Sequence, residues 1–391
     1  MDEFDLFTPE AAADPYPLYR GLRERGGAAY CPSADAWLVS RHADVAAAFA
    51  DHTALSSAPG GGSGPRFLLT CDPPDHTDLR KAVVRFFTPR VVADLAGRVR
   101  RITEDLLDAA GDTADVMTAL AGPLPVLVIA ELMGIAPDRA ADFKRWSDAT
   151  VGGVDVDPRA LAVATLEMGA FFGDAIADRA ATPTRDLIGR LVAHGGMTHR
   201  ELQMFCGLLL IAGNETTTNL IGNLLRALSV DPDQRALLRA DPADAAPRAV
   251  EEALRFDAPV QAVWRRAARP YRIGPDVVPR GGRVLLLQGA ANRDPDRHPD
   301  PDRFDLARAP VGHLGFGAGA HFCLGTHLAR LEARTVLEVV VERGIDVEPA
   351  GTALWSTPPP RRRDRPRVRR NPVVRGLRSL PLRLGRVRAC T

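Results

Sequence analysis

One cysteine of the chain stands in a setting that suits metal ligation. The segment from Phe316 to Gly325 reads Phe-Gly-Ala-Gly-Ala-His-Phe-Cys-Leu-Gly, and a helical pattern follows it. A glycine-rich loop therefore delivers Cys323 to a helix N-terminus, where backbone N–H groups and the helix dipole stabilise a thiolate. Gly317 and Gly319 permit a tight turn, and Gly325 removes a side chain where a flat cofactor could approach. The pattern predicts a thiolate that binds a metal.

Two other interpretations of Cys323 compete with this one. A buried, inert cysteine beside a turn is the commoner case for an arbitrary cysteine, but the glycines on both sides weigh against it. A phosphate-binding loop fails because no Lys-Ser/Thr pair follows the glycines and no clear strand precedes them. Metal ligation is therefore the favoured interpretation.

The run from Phe316 to Arg330 resembles the haem-binding signature of the cytochrome P450 family, Phe-Gly-x-Gly-x-His-x-Cys-x-Gly followed by Leu-Ala-Arg. Every fixed position of that signature is met. The resemblance implies that Cys323 is the axial thiolate of a haem b iron, a ligation that favours O–O cleavage. It also implies that Phe316 covers the proximal face of the haem and that His321 approaches a haem propionate.

A second segment, Ala212-Gly213-Asn-Glu-Thr-Thr-Thr, resembles the family's oxygen-binding groove. Three successive threonines and a glycine are poor helix formers, and a threonine that bonds its i−4 carbonyl can bend a helix. The same residues would also occur in a helix that merely tolerates poor helix formers at these positions. The resemblance instead implies a break that opens room for a ligand, with Glu215 and Thr216 as an acid–alcohol pair.

Further segments match the family at positions that contact the haem propionates. His76 and Arg80 lie four residues apart, so one helical turn puts them on the same face. Arg265 matches another propionate arginine, although the adjacent Arg266 could take that role. Each of these groups could be an ordinary surface cation, but together with His321 they suit a dianionic cofactor.

A buried structural pair is also implied by the resemblance. Glu252 and Arg255 stand at i and i+3 in Glu-Ala-Leu-Arg, like the family's Glu-x-x-Arg element behind the haem. We expect Arg303 to be its third member, with Arg308 near enough to replace it. The segment Ala291-Asn-Arg-Asp-Pro also fits the family and is expected to be structural.

The elements that position these residues are mainly helical. Thr198-His-Arg-Glu201 is a capping box, and it opens an apolar helical pattern of about 30 residues, roughly 45 Å long, that stops at Asp231. Further helices are predicted over 94–110, 124–133, 161–181 and 187–193, and short strands over 36–39, 271–273, 284–287 and 373–374. We expect a mainly α protein with a small β region. The resemblance implies the cytochrome P450 fold, a single triangular haem-binding domain over residues 1–391 with a long central helix.

Composition bounds the class of protein. The 391 residues are 46% hydrophobic and 25% charged, which suffices for a large core. No run approaches the roughly 18 apolar residues of a membrane helix, and the acidic start lacks a signal pattern. The five scattered cysteines include no Cys-x-x-Cys, which argues against a disulfide framework and a zinc ribbon. We expect a reduced, cytoplasmic protein with no membrane partner.

The end of the chain is strongly basic. Residues 361–391 hold twelve arginines and one aspartate. Such a segment could bind nucleic acid or an acidic protein, but no aromatic residue interleaves with the arginines to stack on bases. We expect no nucleic-acid partner, and we interpret residues 358–372, rich in Pro and Arg, as a solvated, disordered insert.

The resemblance implies a bacterial-type monooxygenase of secondary metabolism. We expect it to activate O₂ at the haem iron and to oxidise, most simply hydroxylate, a small apolar or natural-product-like molecule. Because no reductase domain fits in this length, we expect electrons from a separate ferredoxin and its NAD(P)H-dependent reductase. We expect the protein to be a monomer.

Two alternatives remain open for the activity, and the substrate pocket is expected only by analogy. The same haem could couple two aromatic groups, or the protein could bind or sense through a haem thiolate without turnover; Glu215 and Thr216 argue against the latter. The pocket is expected to include parts of 56–67, 159–181, 205–212, 258–264 and 376–380. Trp264 either narrows this pocket or packs in the ordinary way.

Replacing Cys323 with serine is expected to abolish both the thiolate spectrum and the activity, because a serine hydroxyl is a hard, high-pKa ligand that donates weakly to iron. The absorption spectrum of the reduced protein under carbon monoxide measures this. Serine at Cys31, Cys71, Cys206 or Cys390 is the control and should leave the haem spectrum intact. Full activity of Cys323→Ser would remove Cys323 as the ligand.

Overall fold

Helices make up most of the structure, as the apolar periodicity predicts. The computed structural model describes residues 4–59, 66–151, 157–309, 312–350 and 372–385. The helices are α1 (Pro9–Ala13), α2 (Tyr16–Arg25), α3 (His42–Ala50), α4 (Asp75–Val84), α5 (Pro89–Ala93), α6 (Ala96–Ala110), α7 (Pro123–Leu132), α8 (Ala140–Val151), α9 (Pro158–Ala181), α10 (Leu187–His194), α11 (His199–Ser229), α12 (Pro232–Ala240), α13 (Pro242–Phe256), α14 (Gln288–Ala291) and α15 (Thr326–Glu342). The four shorter predicted helices are all present, with ends shifted by a few residues.

The strands are short, and all but one lie outside the run of helices from α4 to α13; the exception, Thr113–Asp115, lies between α6 and α7. They are β1 (Ala28–Cys31), β2 (Ala36–Val39), β3 (Leu55–Ser56), β4 (Thr113–Asp115), β5 (Val263–Ala267), β6 (Tyr271–Ile273), β7 (Asp276–Val278), β8 (Arg283–Leu286), β9 (Glu348–Pro349) and β10 (Pro381–Arg383). A five-stranded sheet has the order β1-β2-β8-β5-β3, beside a three-stranded and a two-stranded sheet. The predicted strand at 373–374 is instead an isolated bridge between Val374 and Val260.

Strand β5 sorts its side chains between two faces. Successive residues of a strand point to opposite sides, and β5 pairs antiparallel with β8 in a register that sets Trp264 opposite Leu285. Val263 and Arg265 therefore share one face, and Trp264 and Arg266 share the other. This alternation decides which of the two adjacent arginines can reach the interior.

The long helix α11 is the element around which the other helices pack. It spans 31 residues, and it contacts α7, α8, α9, α13 and α15. The predicted capping box is present: the Thr198 hydroxyl accepts from the Glu201 amide at 3.2 Å, and Glu201 Oε2 accepts from the Thr198 amide at 2.8 Å. Four residues of the sequence were therefore enough to predict where α11 begins.

The predicted break in α11 is wrong. The helix is continuous from His199 to Ser229. The Thr216 hydroxyl donates to the Ala212 carbonyl at 2.6 Å, which satisfies the hydroxyl within the helix. A back-bonded threonine is compatible with an unbroken helix, so the poor helix propensity of this segment did not interrupt it.

The buried pair Glu252–Arg255 is present, but its third member is Arg308. Arg255 donates to both carboxylate oxygens of Glu252 at 2.8 Å, and both side chains are buried. Arg308 Nε lies 3.3 Å from Glu252 Oε1, whereas Arg303 contributes its backbone carbonyl to Arg255 at 2.9 Å. The choice of Arg303 was wrong because the irregular loop turns that side chain to the surface.

Helix α9 has an exposed apolar face. Among the described helices it is long and apolar enough to cross a membrane by length and composition. The sequence showed no such run because Glu167 and two glycines interrupt its apolar residues. In the fold α9 packs against α8, α10 and α11, while Leu166 and Val163 are 74% and 50% exposed.

The remaining predicted segments fall partly outside the described residues. Residues 60–65 of the glycine-rich stretch lie outside them, and so does the predicted insert 358–372 except for Pro372. The prediction of a disordered insert therefore stays a prediction.

Replacing Arg308 with methionine is expected to lower the free energy of unfolding by about 1.5–3 kcal/mol, because it removes a charged donor from a buried carboxylate. The matched variant Arg303→Met should change it by less than about 0.5 kcal/mol, since that side chain is exposed. Urea unfolding of both proteins measures the difference. Equal losses, or a larger loss for Arg303→Met, would contradict the assignment of Arg308.

Candidate functional site

One cavity of about 300 Å³ brings together nearly all the predicted site residues. It lies among α4, α11, β5, α15 and the loop that carries Cys323. Eleven of the twelve predicted residues line it: His76, Arg80, Ala212, Gly213, Thr216, Arg265, Phe316, Gly317, His321, Cys323 and Gly325. Glu215 is the exception. Residues from four distant segments therefore converge on one site.

The cysteine loop presents Cys323 to the cavity through a tight turn. The Cys323 amide donates to the Phe316 carbonyl at 3.0 Å, which closes the loop. Gly317 and Gly319 have φ values of 68° and 69°, a region that strongly favours glycine. A side chain at Gly319 would also place its Cβ 2.3 Å from the carbonyl oxygen of Phe49. Both glycines are thus fixed by geometry.

The helix terminus alone does not make Cys323 a thiolate. Burial raises the pKa of the Cys323 thiol, and the Gly325 amide and the charges of Arg80 and Arg330 oppose that rise only in part. A bound metal cation would reverse this balance, because a coordinating thiol is deprotonated. The predicted thiolate therefore depends on a metal.

Four nitrogen-bearing side chains gather at one end of the cavity. The rings of His76 and His321 lie 4.1 Å apart, and neither Nε2 atom has a hydrogen-bond partner among the described residues. Burial and the neighbouring His76 and Arg265 lower the pKa of His321 to about 4, and burial and Arg80 lower the pKa of His76. Both rings are therefore neutral at neutral pH, and each presents an Nε2 atom that has no partner among the described residues.

Arg265 and Arg266 lie on opposite faces of β5, as the alternation of side chains along a strand requires. Arg265 lines the cavity, whereas Arg266 is exposed and donates to the Pro59 carbonyl at 3.2 Å. Of these two arginines, Arg265 therefore belongs to the cluster with His76, Arg80 and His321, and Arg266 does not.

These residues fit a flat, dianionic, iron-containing group such as haem. A soft sulfur donor, two imidazoles whose Nε2 atoms have no partner among the described residues, and two guanidinium groups all line this cavity. A Cβ added at Gly325 would meet no atom within 4 Å, so the space beside the sulfur is open to a planar ligand. Unpaired buried donors of this kind are costly without a partner, and two carboxylates would satisfy them.

The wall formed by α11 carries two threonines. Thr216 and Thr217 both line the cavity together with Ala212 and Gly213. Two adjacent positions of α11 thus both belong to the cavity wall. Gly213 is required here, because a Cβ at that position would lie 2.9 Å from Ile129 Cδ1. The absence of a side chain lets α7 pack closely against α11.

Glu215 is on the same helix as these threonines but does not line the cavity. The side chain is buried, and its Oε1 lies 3.6 Å from Nζ of Lys144 on α8. Lys144 also pairs with Asp148, and it is 35% exposed. A polar route thus runs from solvent through Lys144 to the residue that precedes Thr216.

Most of the remaining cavity wall is apolar, with Gln288 and Glu332 as polar exceptions. The apolar part includes Leu68, Leu69, Phe87, Ile129, Phe205, Leu208, Leu209, Val260 and Val263. The predicted contributions of 159–181 and 376–380 are wrong, since no described residue of either segment lines the cavity. None of the described residues of 56–67 lines it either, and the lining residues nearest to that segment are Leu68 and Leu69. Trp264 packs in the ordinary way, with the Arg283 guanidinium 4.3 Å from its ring.

Sequence reasoning missed several lining residues, among them Phe87, Ile129 and Glu332. Phe87 and Ile129 carry the same apolar periodicity as any core residue. Glu332 on α15 is buried and lines the cavity, and its Oε2 has no hydrogen-bond partner within the described chain. Burial raises the pKa of this carboxyl well above its ordinary value, so Glu332 is uncharged. A glutamate at a helix position is usually a surface residue, so its burial could not be read from the pattern.

Comparisons with known proteins agree on one family. The family model for cytochrome P450 matches residues 244–348. The chain is 41% identical over 377 residues to cytochrome P450 107B1 of Saccharopolyspora erythraea, covering 90% of each protein. It is 40% identical over 405 residues to the cytochrome P450 monooxygenase PikC of Streptomyces venezuelae, covering 96% of this chain and 92% of PikC.

The fold agrees as well. The structure of cytochrome P450 CYP109Q5 from Chondromyces apiculatus superposes with a TM-score of 0.87 at 37% identity, covering 98% of this chain and 99% of that one. The architecture implied by the sequence resemblance is thereby confirmed.

Replacing Arg265 with methionine is expected to weaken haem retention about tenfold, because one charge-assisted contact to a buried anion is lost. Arg266→Met is the matched control and should retain haem like the wild type. The rate of haem transfer to an excess of apomyoglobin measures both. Similar rates for the two variants would show that Arg265 does not contact the cofactor.

Proposed function

The chain belongs to the cytochrome P450 family, whose members are haem-binding oxidoreductases, and on that premise we propose that it is a monooxygenase that hydroxylates a small, apolar, natural-product-like molecule. The observation that carries the proposal is the convergence of Cys323, four propionate-binding candidates and Thr216 on one cavity. A protein that only bound or sensed through haem would have no need of the threonine or of the polar route behind it.

We assign the cofactor site to the residues that fit it. Cys323 would ligate the iron of haem b, and His76, Arg80, Arg265 and His321 would hold the propionates. When bound, haem supplies the activation of O₂ and the oxidising power that no protein side chain has. The apolar wall excludes water from that chemistry, which strengthens every polar interaction inside the cavity.

The residues of α11 and α8 are proposed to deliver protons. The Thr216 hydroxyl faces the cavity and could hold an ordered water there. Glu215, next along the helix, is buried but reaches Lys144 at 3.6 Å, and Lys144 reaches solvent. The chain thus offers a path by which protons enter through Lys144 and Glu215 and are held at the Thr216 hydroxyl.

The substrate is proposed to be uncharged and largely hydrocarbon. Beyond the propionate-binding candidates and neutral Glu332, the described lining residues offer no charged side chain to anchor an ionic group. A mycobacterial relative, 38% identical over 375 residues, is named a beta-dihydromenaquinone-9 omega-hydroxylase. A related structure, CYP109E1 from Bacillus megaterium, holds testosterone. Such molecules are largely hydrocarbon, which is the kind of ligand that the apolar cavity wall here favours.

Electrons are proposed to come from a ferredoxin and its NAD(P)H-dependent reductase. A groove of about 720 Å³ runs beside the helix that follows Cys323, and α13 and α15 line it with basic residues. Two of these, Arg248 and Arg330, pair with Asp244 and Glu251, which also line the groove. Phe322, adjacent to the cysteine, is 42% exposed. An exposed aromatic ring beside a polar surface suits contact with a separate electron donor.

The same proposal includes one haem-binding domain over residues 1–391, present as a monomer in the cytoplasm. The described cysteines are all free thiols, which agrees with a reducing compartment. Size-exclusion chromatography with light scattering tests the monomer, and a stable dimer would contradict it.

Replacing Thr216 with alanine is expected to uncouple the enzyme. Folding and haem content should survive, because alanine is helix-compatible. Without its hydroxyl, product formed per NAD(P)H should fall about tenfold, within the range of lost proton transfer, while NAD(P)H consumption continues and H₂O₂ accumulates. The assay uses a ferredoxin, its reductase and a substrate lacking a hydroxyl that could replace the missing one.

Thr218→Ala is the matched control for this experiment. Thr218 bonds the Asn214 side chain at 3.3 Å and does not line the cavity, so its removal should keep wild-type coupling. Wild-type coupling in Thr216→Ala would remove Thr216 from proton delivery. Product formation from NAD(P)H without the ferredoxin would contradict the separate electron donor.

A further inference from the structure

Three polar side chains meet behind the cysteine loop, outside the cavity. Arg330 on α15 donates to both carboxylate oxygens of Glu251 on α13, at 2.6 and 2.9 Å. His313 Nε2 lies 3.0 Å from Glu251 Oε2. Because His313 Nδ1 accepts from the Gly315 amide at 3.1 Å, the ring proton is on Nε2 and is donated to Glu251. Glu251 thus joins an arginine and a histidine from separate segments.

The carboxylate of Glu251 is ionised in this cluster. Burial raises its pKa, but the hydrogen bonds from Arg330 and His313 outweigh that effect and lower the pKa to about 2. Its side chain is 17% exposed, against 35% for Arg330. The pair is therefore screened by water less than a free surface pair would be.

Both partners of Glu251 act on the loop that carries Cys323. The Arg330 guanidinium lies 4.6 Å from the centre of the Phe316 ring, a cation–π distance. Phe316 in turn accepts the Cys323 amide through its carbonyl. His313 fixes the Gly315 amide, one residue before Phe316. Glu251 therefore supports the same turn from two directions.

The charge of Arg330 also reaches the sulfur. Arg330 packs on the ring of Phe316, whose carbonyl accepts the Cys323 amide, so a positive charge on Arg330 lies beside the cysteine loop and stabilises negative charge on sulfur. Glu251 carries the opposite charge at hydrogen-bond distance from Arg330. The charges of the two side chains balance as long as both members of the pair are present.

We propose that Glu251 is a positioning residue for the reaction: it holds Arg330 against Phe316 and balances its charge, and so sets how strongly the Cys323 thiolate donates to the iron. This inference rests on the proposed function, in which Cys323 ligates haem. Removal of Glu251 leaves Arg330 unbalanced, which favours the reduced iron, and removal of Arg330 leaves Glu251 unbalanced, which disfavours it.

The test is the equilibrium reduction potential of the purified haem protein, measured by spectroelectrochemistry without a redox partner. Glu251→Gln should raise the equilibrium constant for reduction about threefold, a shift of about 28 mV for one electron. Arg330→Met should lower it by a similar factor, and the double variant should return towards the wild type. Arg334→Met is the matched control: Arg334 lies one turn further along α15, is 44% exposed and pairs with Glu338 at 3.2 Å, so its removal should shift the potential less than either variant.

Two outcomes would overturn the inference. The first is that Glu251→Gln and Arg330→Met shift the potential in the same direction, which would show a structural effect instead of a balance of charge. The second is that neither differs from Arg334→Met. The spectrum of the reduced wild type under carbon monoxide separates the two claims: without a thiolate signature the proposed function fails, whereas a normal signature with unshifted potentials overturns this inference alone.

Discussion

The turn that carries Cys323 must be rigid for the sulfur to keep its position, and hydrogen bonds from the surrounding structure make it rigid. Arg255, fixed by its buried ion pair with Glu252, donates to the Asn292 carbonyl at 3.1 Å. The Asn292 side chain accepts the Leu314 amide at 2.6 Å, two residues before Phe316. A chain of hydrogen bonds thus links a buried ion pair on α13 to the loop, so the position of the sulfur depends on polar groups that cannot move without losing partners.

The same cavity carries buried polar groups that gain a partner only when a ligand binds. The Nε2 atoms of His76 and His321 have no hydrogen-bond partner in the described chain, whereas Arg80 and Arg265 donate to the backbone carbonyls of Phe322 and Trp264. Unsatisfied buried donors cost about 1–3 kcal/mol each, and a ligand that binds only the folded state recovers such costs as stability. The chemistry that makes the site specific for a dianion therefore also couples cofactor binding to folding.

Local signals in the sequence were enough for much of this account. The capping box at Thr198 and the cysteine loop each depend on residues that are close together in the sequence, so both could be predicted. Arg303 was preferred to Arg308 as the third member of the Glu252–Arg255 cluster because an irregular loop decides which of the two side chains turns inward. Likewise, the contact between Lys144 and Glu215, and the burial of Glu332, are set by how helices pack, which no local pattern encodes.

The central claim is that Cys323 places a sulfur atom on the haem iron, and the most direct test is iron K-edge X-ray absorption on the purified, thiol-free haem protein. The account predicts one sulfur among the nearest neighbours of iron, at a distance typical of a metal–thiolate bond, together with the nitrogens of the porphyrin. A first shell made only of nitrogen and oxygen atoms would contradict it.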